Sequence, residues 1–186
     1  MPHSYPFGKK EAIEFVQKNF PYYSKVLDVG PGVGTYADLL KPHGYELDCL
    51  EIYEGYIDAY NLRSKYNQAL IGDVREEKWN LGNYDLVILG DVLEHLTIEQ
   101  SKEVLNRCQN VLVAVPYLCP QGGVDFVFED KRLINPHEKH EQADLTPLVM
   151  LTRYPNLGLI WSNHLYGYYS NVQWAGYYKE KEWTKL

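Results

Sequence analysis

Three glycines spaced Gly30-x-Gly32-x-Gly34, with Asp28 just ahead of them and carboxylates at Glu51, Asp73 and Asp91, are the residues in this chain best suited to hold a ligand. Glycine lets a backbone turn tightly and approach a ligand with no Cβ in the way. The spacing in Asp28-Val29-Gly30-Pro31-Gly32-Val33-Gly34 is not the G-x-G-x-x-G of a dinucleotide turn. Glu51 falls at the end of the run Tyr45–Ile52, where a carboxylate can accept two charge-assisted hydrogen bonds from a ribose diol, each worth roughly 1.5–3 kcal/mol. Asp73, in Ile71-Gly72-Asp73-Val74, is placed to accept from an adenine amino group. Asp91 opens Asp91-Val92-Leu93-Glu94-His95-Leu96. Singly, Glu51 and Asp73 read equally well as solvated strand ends and Asp91 as an ordinary helix N-cap. Their joint occurrence in this order favours a binding site.

A second group of side chains lies downstream. Asn135-Pro136-His137-Glu138-Lys139-His140-Glu141 is the densest run of titratable residues in the chain. His137 and His140 read either as solvated loop residues, common for a group that titrates near neutrality, or as a general base or substrate-orienting group on a lid.

Positioning these residues requires strands that end where they stand. Lys9–Asn19 has helical apolar spacing and is stopped by Pro21. Lys25–Gly30, Tyr45–Ile52, Gln68–Ile71, Tyr84–Gly90 and Asn110–Val115 read as five strands, with helical stretches between most of them. Near-continuous apolar strands alternating with helices predict a doubly wound α/β fold with a mostly parallel sheet covered on both faces. Ligands on such sheets bind beyond the carboxyl ends of the strands, where all four features fall. From Tyr117 to about Gln142 the pattern breaks into a long irregular segment, and loops of that length are usually functional. A short helix is expected around Leu145–Arg153. Leu157–Asn163 and Val172–Tyr178 are expected as a closing hairpin, turned at Ser170-Asn171, with Tyr166-Gly167-Tyr168-Tyr169 between its strands on the ligand rim.

The series Val26–Gly34, Leu50-Glu51-Ile52, Gly72-Asp73-Val74 and Tyr84-Asp85-Leu86-Val87 through Leu93-Glu94-His95-Leu96 resembles the class I, Rossmann-like methyltransferases that depend on S-adenosylmethionine (SAM). The likeness spans about Lys25 to Pro116. It implies a seven-stranded sheet with an antiparallel last strand and helices on both faces. The length of the chain predicts a single domain over 1–186, and the irregular segment a substrate lid at about 117–143. The resemblance also implies roles: Asp28, Gly30, Gly32 and Gly34 near the methionine portion of SAM, Glu51 with Ile52 on the ribose, Asp73 with Val74 at the adenine, and Asp91 at the fourth strand end. The catalytic candidates remain His140 and His137. Lys9, beside Tyr5-Pro6-Phe7-Gly8, is a candidate to pair with the cofactor's carboxylate. Asp91-x-x-Glu94-His95 with a later histidine also resembles the Glu-x-x-Glu-His of small-RNA 2′-O-methyltransferases that hold Mg²⁺. Asp stands where that family has Glu, however, and Leu-Glu-His-Leu recurs in methyltransferases that need no metal, so no metal ligand is assigned.

Composition narrows the partners. The chain has 186 residues, 45% hydrophobic and 23% charged, with a formal net charge of −7 and no dense Lys/Arg block, which disfavours nucleic acid as substrate. Cys49, Cys108 and Cys119 are an odd number without zinc spacing, and no stretch has the length of a membrane span, so a reduced, cytoplasmic protein is expected. The 17 tyrosines, three of them within Tyr166–Tyr169, serve either packing or an aromatic binding surface. The expected activity is methyl transfer from SAM to a small molecule or glycan, at oxygen. The alternatives are a Mg²⁺-dependent RNA 2′-O-methyltransferase-like enzyme, a SAM-binding protein without turnover, and an NAD-dependent oxidoreductase or epimerase. Against the last, Asp73 has no counterpart at a dinucleotide site.

Overall fold

The computed structural model describes residues 7–122, 124–128 and 131–172. Helix α1 (Lys9–Asn19) buries Ala12, Ile13, Phe15 and Val16, the apolar stripe visible in its sequence. The chain then alternates: β1 (Lys25–Val29), α2 (Thr35–Leu40), β2 (Glu46–Glu51), α3 (Glu54–Ala59), α4 (Leu62–Lys65), β3 (Ala69–Ile71) and β4 (Leu86–Gly90). A 3-10 turn at Leu93–His95 leads into α5 (Ile98–Arg107), and β5 (Val111–Pro116) follows. Beyond it lie β6 (Val124–Phe128), β7 (Lys131–Asn135), a 3-10 turn at Pro136–Glu138, α6 (Pro147–Arg153), β8 (Gly158–Ser162) and β9 (Tyr166–Ser170).

Seven strands form one sheet in the order β3-β2-β1-β4-β5-β9-β8. The β1–β2, β1–β4, β2–β3 and β4–β5 pairs are parallel, whereas β9 runs antiparallel to both β5 and β8. This is the doubly wound α/β sheet with an antiparallel last strand expected from the sequence. Alternate strand residues serve opposite faces. Val26, Leu47, Ile88 and Ala114 pack under α1 to α4, while Leu27, Val87, Leu89 and Val113 pack under α5 and α6. Strand order reverses between β1 and β4, which opens a crevice at their carboxyl ends.

Two expectations are corrected. The closing hairpin turns at Asn163, not at Ser170-Asn171. Asn163 Oδ1 accepts from the backbone N–H of Leu165 (2.7 Å) and Tyr166 (2.9 Å), so the Asn side chain supplies the turn. Tyr166-Gly167-Tyr168-Tyr169 is therefore strand β9 itself, and all three tyrosines are fully buried. Ser170 and Asn171 instead tie the end of β9 to β5: Ser170 Oγ donates to the Val111 carbonyl and Asn171 Oδ1 accepts from the Val111 N–H. Residues 173–178 of the expected second strand lie outside the described residues. The second correction concerns the irregular segment after Pro116, which contains the separate antiparallel pair β6–β7.

Candidate active site

The crevice is a cavity of about 450 Å³, within the range of small-molecule sites. Gly30 and Gly32 line it from the β1 loop, Glu51 and Ile52 from the end of β2, Asp73 and Val74 from beyond β3, and Asp91 from the end of β4. These are seven of the nine cofactor residues expected from the sequence. The other two lie behind the wall. Gly34 is the N-cap of α2 at φ +83°. Asp28 is buried beneath the loop, where its Oδ2 accepts from the Tyr66 hydroxyl at 2.5 Å. Burial pushes the Asp28 carboxyl up to about 7, against the Tyr66 hydrogen bond and the charge of Lys9.

Gly30 is at φ +62°, and a Cβ there would stand 2.8 Å from Val92 Cγ2. The loop must therefore be bare at this point. Glu51 is 3% exposed; its Oε1 accepts from the Tyr53 backbone N–H at 2.8 Å. Desolvation lifts it to about 7, partly offset by that hydrogen bond. Asp73 is less simple than its position in sequence implied. Arg75 binds it from Nε, from its second guanidinium nitrogen and from the backbone N–H, and these contacts outweigh burial to hold its carboxyl below the usual range. Asp91 has left-handed backbone at φ +58°, unusual for a non-glycine residue at a strand end. Its Oδ1 accepts from Tyr166 at 2.5 Å. Burial raises its pKa against the nearby Lys9. Lys9 itself is buried, donates to the Tyr36 hydroxyl at 3.2 Å and lies 4.3 Å from the centre of that ring. It is not among the residues lining the cavity, and Tyr5 and Pro6 lie outside the described residues.

Polar side chains also line the cavity: Thr97, Gln100, Asn135, His137, Glu138, Lys139 and Glu141. His137 lines it, exposed, with its backbone N–H held by Asn135 Oδ1 at 3.0 Å. His140 does not line it. Its Nδ1 meets the Cys119 carbonyl at 2.5 Å, and burial lowers its pKa. Its ring instead abuts that of His95, with centroids 4.7 Å apart. His95, whose pKa desolvation depresses to about 4, does reach the cavity wall. Glu94 is 1% exposed, and burial followed by the charge of Asp91 drives its pKa far upward. Cavity-lining residues that the sequence did not single out include Tyr56, Arg75, Thr97, Gln100 and Glu138. Glu138 had a signal, its place in the dense 135–141 run. Its Oε1 accepts from the Tyr56 hydroxyl at 2.9 Å, a contact between residues far apart in sequence.

Residues 27–114 match the model of a family described as a methyltransferase domain. No curated protein matches the chain in sequence. Solved structures share its fold. A SAM-dependent methyltransferase from Clostridium acetobutylicum aligns with TM-score 0.61 at 13% identity, over 87% of this chain and 88% of that one. A SAM-dependent methyltransferase from Mesorhizobium loti aligns at 0.58 and 11%, over 89% and 97%. The PH0226 protein from Pyrococcus horikoshii aligns at 0.57 and 17%, over 87% of each chain. The bare glycine turn, the buried acceptor at Glu51 and the apolar side chains Leu50, Ile52 and Val74 on the cavity wall fit a ligand that joins a diol to a flat ring. Residues 27–114 thus match a methyltransferase domain, and the seven-stranded sheet is the Rossmann-like sheet of these solved structures.

Proposed function

We propose that this enzyme transfers the methyl group of SAM to a hydroxyl of a small molecule or glycan. The observation that carries the reading is the makeup of the cavity beyond the cofactor residues. Carboxylates from Glu51, Asp73, Asp91, Glu138 and Glu141 line it, while its cations, Arg75 and Lys139, are paired with Asp73 and Glu141. Such a lining repels a phosphodiester backbone and suits a neutral, hydrogen-bonding acceptor. Glu51 accepts the ribose diol, the bare backbone at Gly30 and Gly32 lies along the methionine portion, and Val74 packs on the adenine. Asp73 turns its arginine-braced carboxylate toward the adenine amino group.

SAM supplies an electrophilic methyl on a sulfonium. The acceptor O–H loses its proton as the new O–CH₃ bond forms and the S–CH₃ bond breaks, leaving S-adenosylhomocysteine. The chain's own contribution is alignment and exclusion of water. His137, on the cavity wall, is the proton acceptor, and residues 117–143 form the lid of a single-domain enzyme. Two backbone bonds support that assignment by fastening the segment to the active-site turn: the N–H groups of Glu141 and Gln142 both donate to the Glu94 carbonyl, at 2.8 and 3.0 Å.

The test is S-adenosylhomocysteine formation across sugars and phenols, amines, carboxylates and a short RNA. Hydroxyl acceptors are expected to turn over. Turnover confined to amines or RNA would sink the proposal. His137→Ala should lower kcat at least tenfold and leave the SAM Kd within twofold; an unchanged kcat would remove His137 from the mechanism.

A further inference from the structure

Glu94 is the buried polar group least satisfied by the protein: among the described residues neither of its carboxylate oxygens has a hydrogen-bond partner. Leaving an acceptor unpaired in the interior costs about 1–3 kcal/mol, and more for a charged one. What faces it is informative. One ligand atom each from Glu94, His95 and His140 lies within 4.8 Å of the others, a spacing that small side-chain rotations close onto one ion.

The two imidazoles are also oriented for the purpose. His95 Nδ1 meets the Lys139 carbonyl at 3.0 Å and His140 Nδ1 the Cys119 carbonyl at 2.5 Å. A carbonyl oxygen only accepts, so each Nδ1 carries the proton and Nε2 is left with a lone pair. A histidine that donates one ring N–H to a backbone carbonyl and offers the other nitrogen has the arrangement of a metal ligand with its outer-shell partner. The cluster is held from both sides. Glu141 and Gln142 donate to the Glu94 carbonyl, and Gln142 Nε2 donates to the Leu93 and Leu96 carbonyls at 2.9 Å each.

We propose that Glu94, His95 and His140 bind one divalent first-row transition-metal ion at the wall of the methyl-transfer cavity. Two imidazoles and one carboxylate suit Zn²⁺, Fe²⁺, Co²⁺ or Mn²⁺, whereas an oxygen-rich set would suit Mg²⁺ or Ca²⁺. Three protein ligands leave coordination positions open, and His95 brings the ion to the cavity side. This revises the ligand set considered from sequence. Asp91 is outside the cluster, with Oδ1 engaged by Tyr166, and no metal had been assigned.

The experiment uses the full chain after dialysis against EDTA. Calorimetric titration with Zn²⁺, Co²⁺, Mn²⁺ and Mg²⁺ alone is expected to give one site, with Mg²⁺ at least tenfold weaker than Zn²⁺, and bound Co²⁺ should show a visible absorption band. Glu94→Gln and His140→Ala should each weaken Zn²⁺ binding at least tenfold, while SAM affinity stays within twofold as proof of folding. A SAM-binding protein that takes up none of these ions would overturn the site. So would a Zn²⁺ affinity untouched by both variants, or a preference for Mg²⁺. Failure of the hydroxyl-acceptor reading would appear in the turnover assay and leave these titrations unchanged.

Discussion

Glu51 illustrates how one residue sets a condition on the cofactor. It is buried and held up to about 7, yet in the role proposed for it a ribose diol is met best by an acceptor-only carboxylate. SAM binding must therefore expel a proton wherever the free protein still carries it. SAM affinity is expected to rise as pH increases from 5.5 to about 7 and to flatten above, while Glu51→Gln weakens binding and removes most of that slope. Calorimetry at several pH values, in buffers of different ionisation enthalpy, reads both the affinity and the released proton. A flat wild-type profile would refute the role given to Glu51. Gly30 makes a steric demand in place of an electrostatic one. A side chain at φ +62° costs about 1–2 kcal/mol in backbone strain, and the added Cβ would press on Val92, which also lines the cavity. Gly30→Ala is expected to raise the SAM Kd at least tenfold and lower Tm, both measurable on one sample by titration and thermal melting.

At the scale of elements, the parallel part of the sheet was legible because its strands are short apolar runs that end in residues lining the cavity: Val29 before Gly30, Glu51, Ile71 before Gly72, Gly90 before Asp91. The hairpin was not, since two turn signals compete there. Asn163 and Ser170-Asn171 have equal turn chemistry, and only the pairing of Val111 with Asn171 and Ser170 decides which becomes the turn. Which later histidine meets His95 was hidden for a related reason. His95 and His140 are 45 residues apart, and nothing local signals that they touch. Gln142 is what joins their elements. Its Nε2 donates to the Leu93 and Leu96 carbonyls and to Ser101 Oγ, and its Oε1 accepts from Arg153 and Tyr154. Gln142→Leu keeps the bulk but orphans these groups, so a loss of roughly 2–4 kcal/mol is expected in urea unfolding. The same variant should weaken Zn²⁺ binding, because it frees the chain two residues after His140. A loss below about 0.5 kcal/mol would mean the side chain is a bystander.

For the whole molecule, the balance of shifted carboxyls predicts an unusual pH dependence of stability. Asp28 and Glu51 are both held up to about 7, and Asp91 and Glu94 are shifted the same way by burial. In the unfolded chain all four ionise near their ordinary values, about 4. Between about pH 4 and 7 the folded state therefore binds more protons, and the free protein loses stability as pH rises through that window. His95, depressed to about 4, and His140, shifted the same way, oppose this in the same window, but two imidazoles stand against four carboxyls. Asp73 and Asp144 also work in the opposite sense. Asp73 is held low by Arg75 against its burial, and Asp144 is held low by the hydrogen bond from Arg153, so their contributions vanish as pH falls below about 4. Asp144 is exposed and counts for little. The free enzyme is thus expected to melt highest near pH 4–5 and progressively lower toward pH 7, a trend unlike that of proteins whose carboxylates are mostly paired. SAM adds stability according to its concentration relative to Kd, and that Kd improves over the same pH range as Glu51 gives up its proton. The gap between melting temperatures with and without SAM should therefore widen from pH 5 to 7. A free-protein Tm that climbs over this interval, or a gap that stays constant, would show that these buried carboxyls ionise normally in the folded chain and that the site does not store the protons its geometry implies.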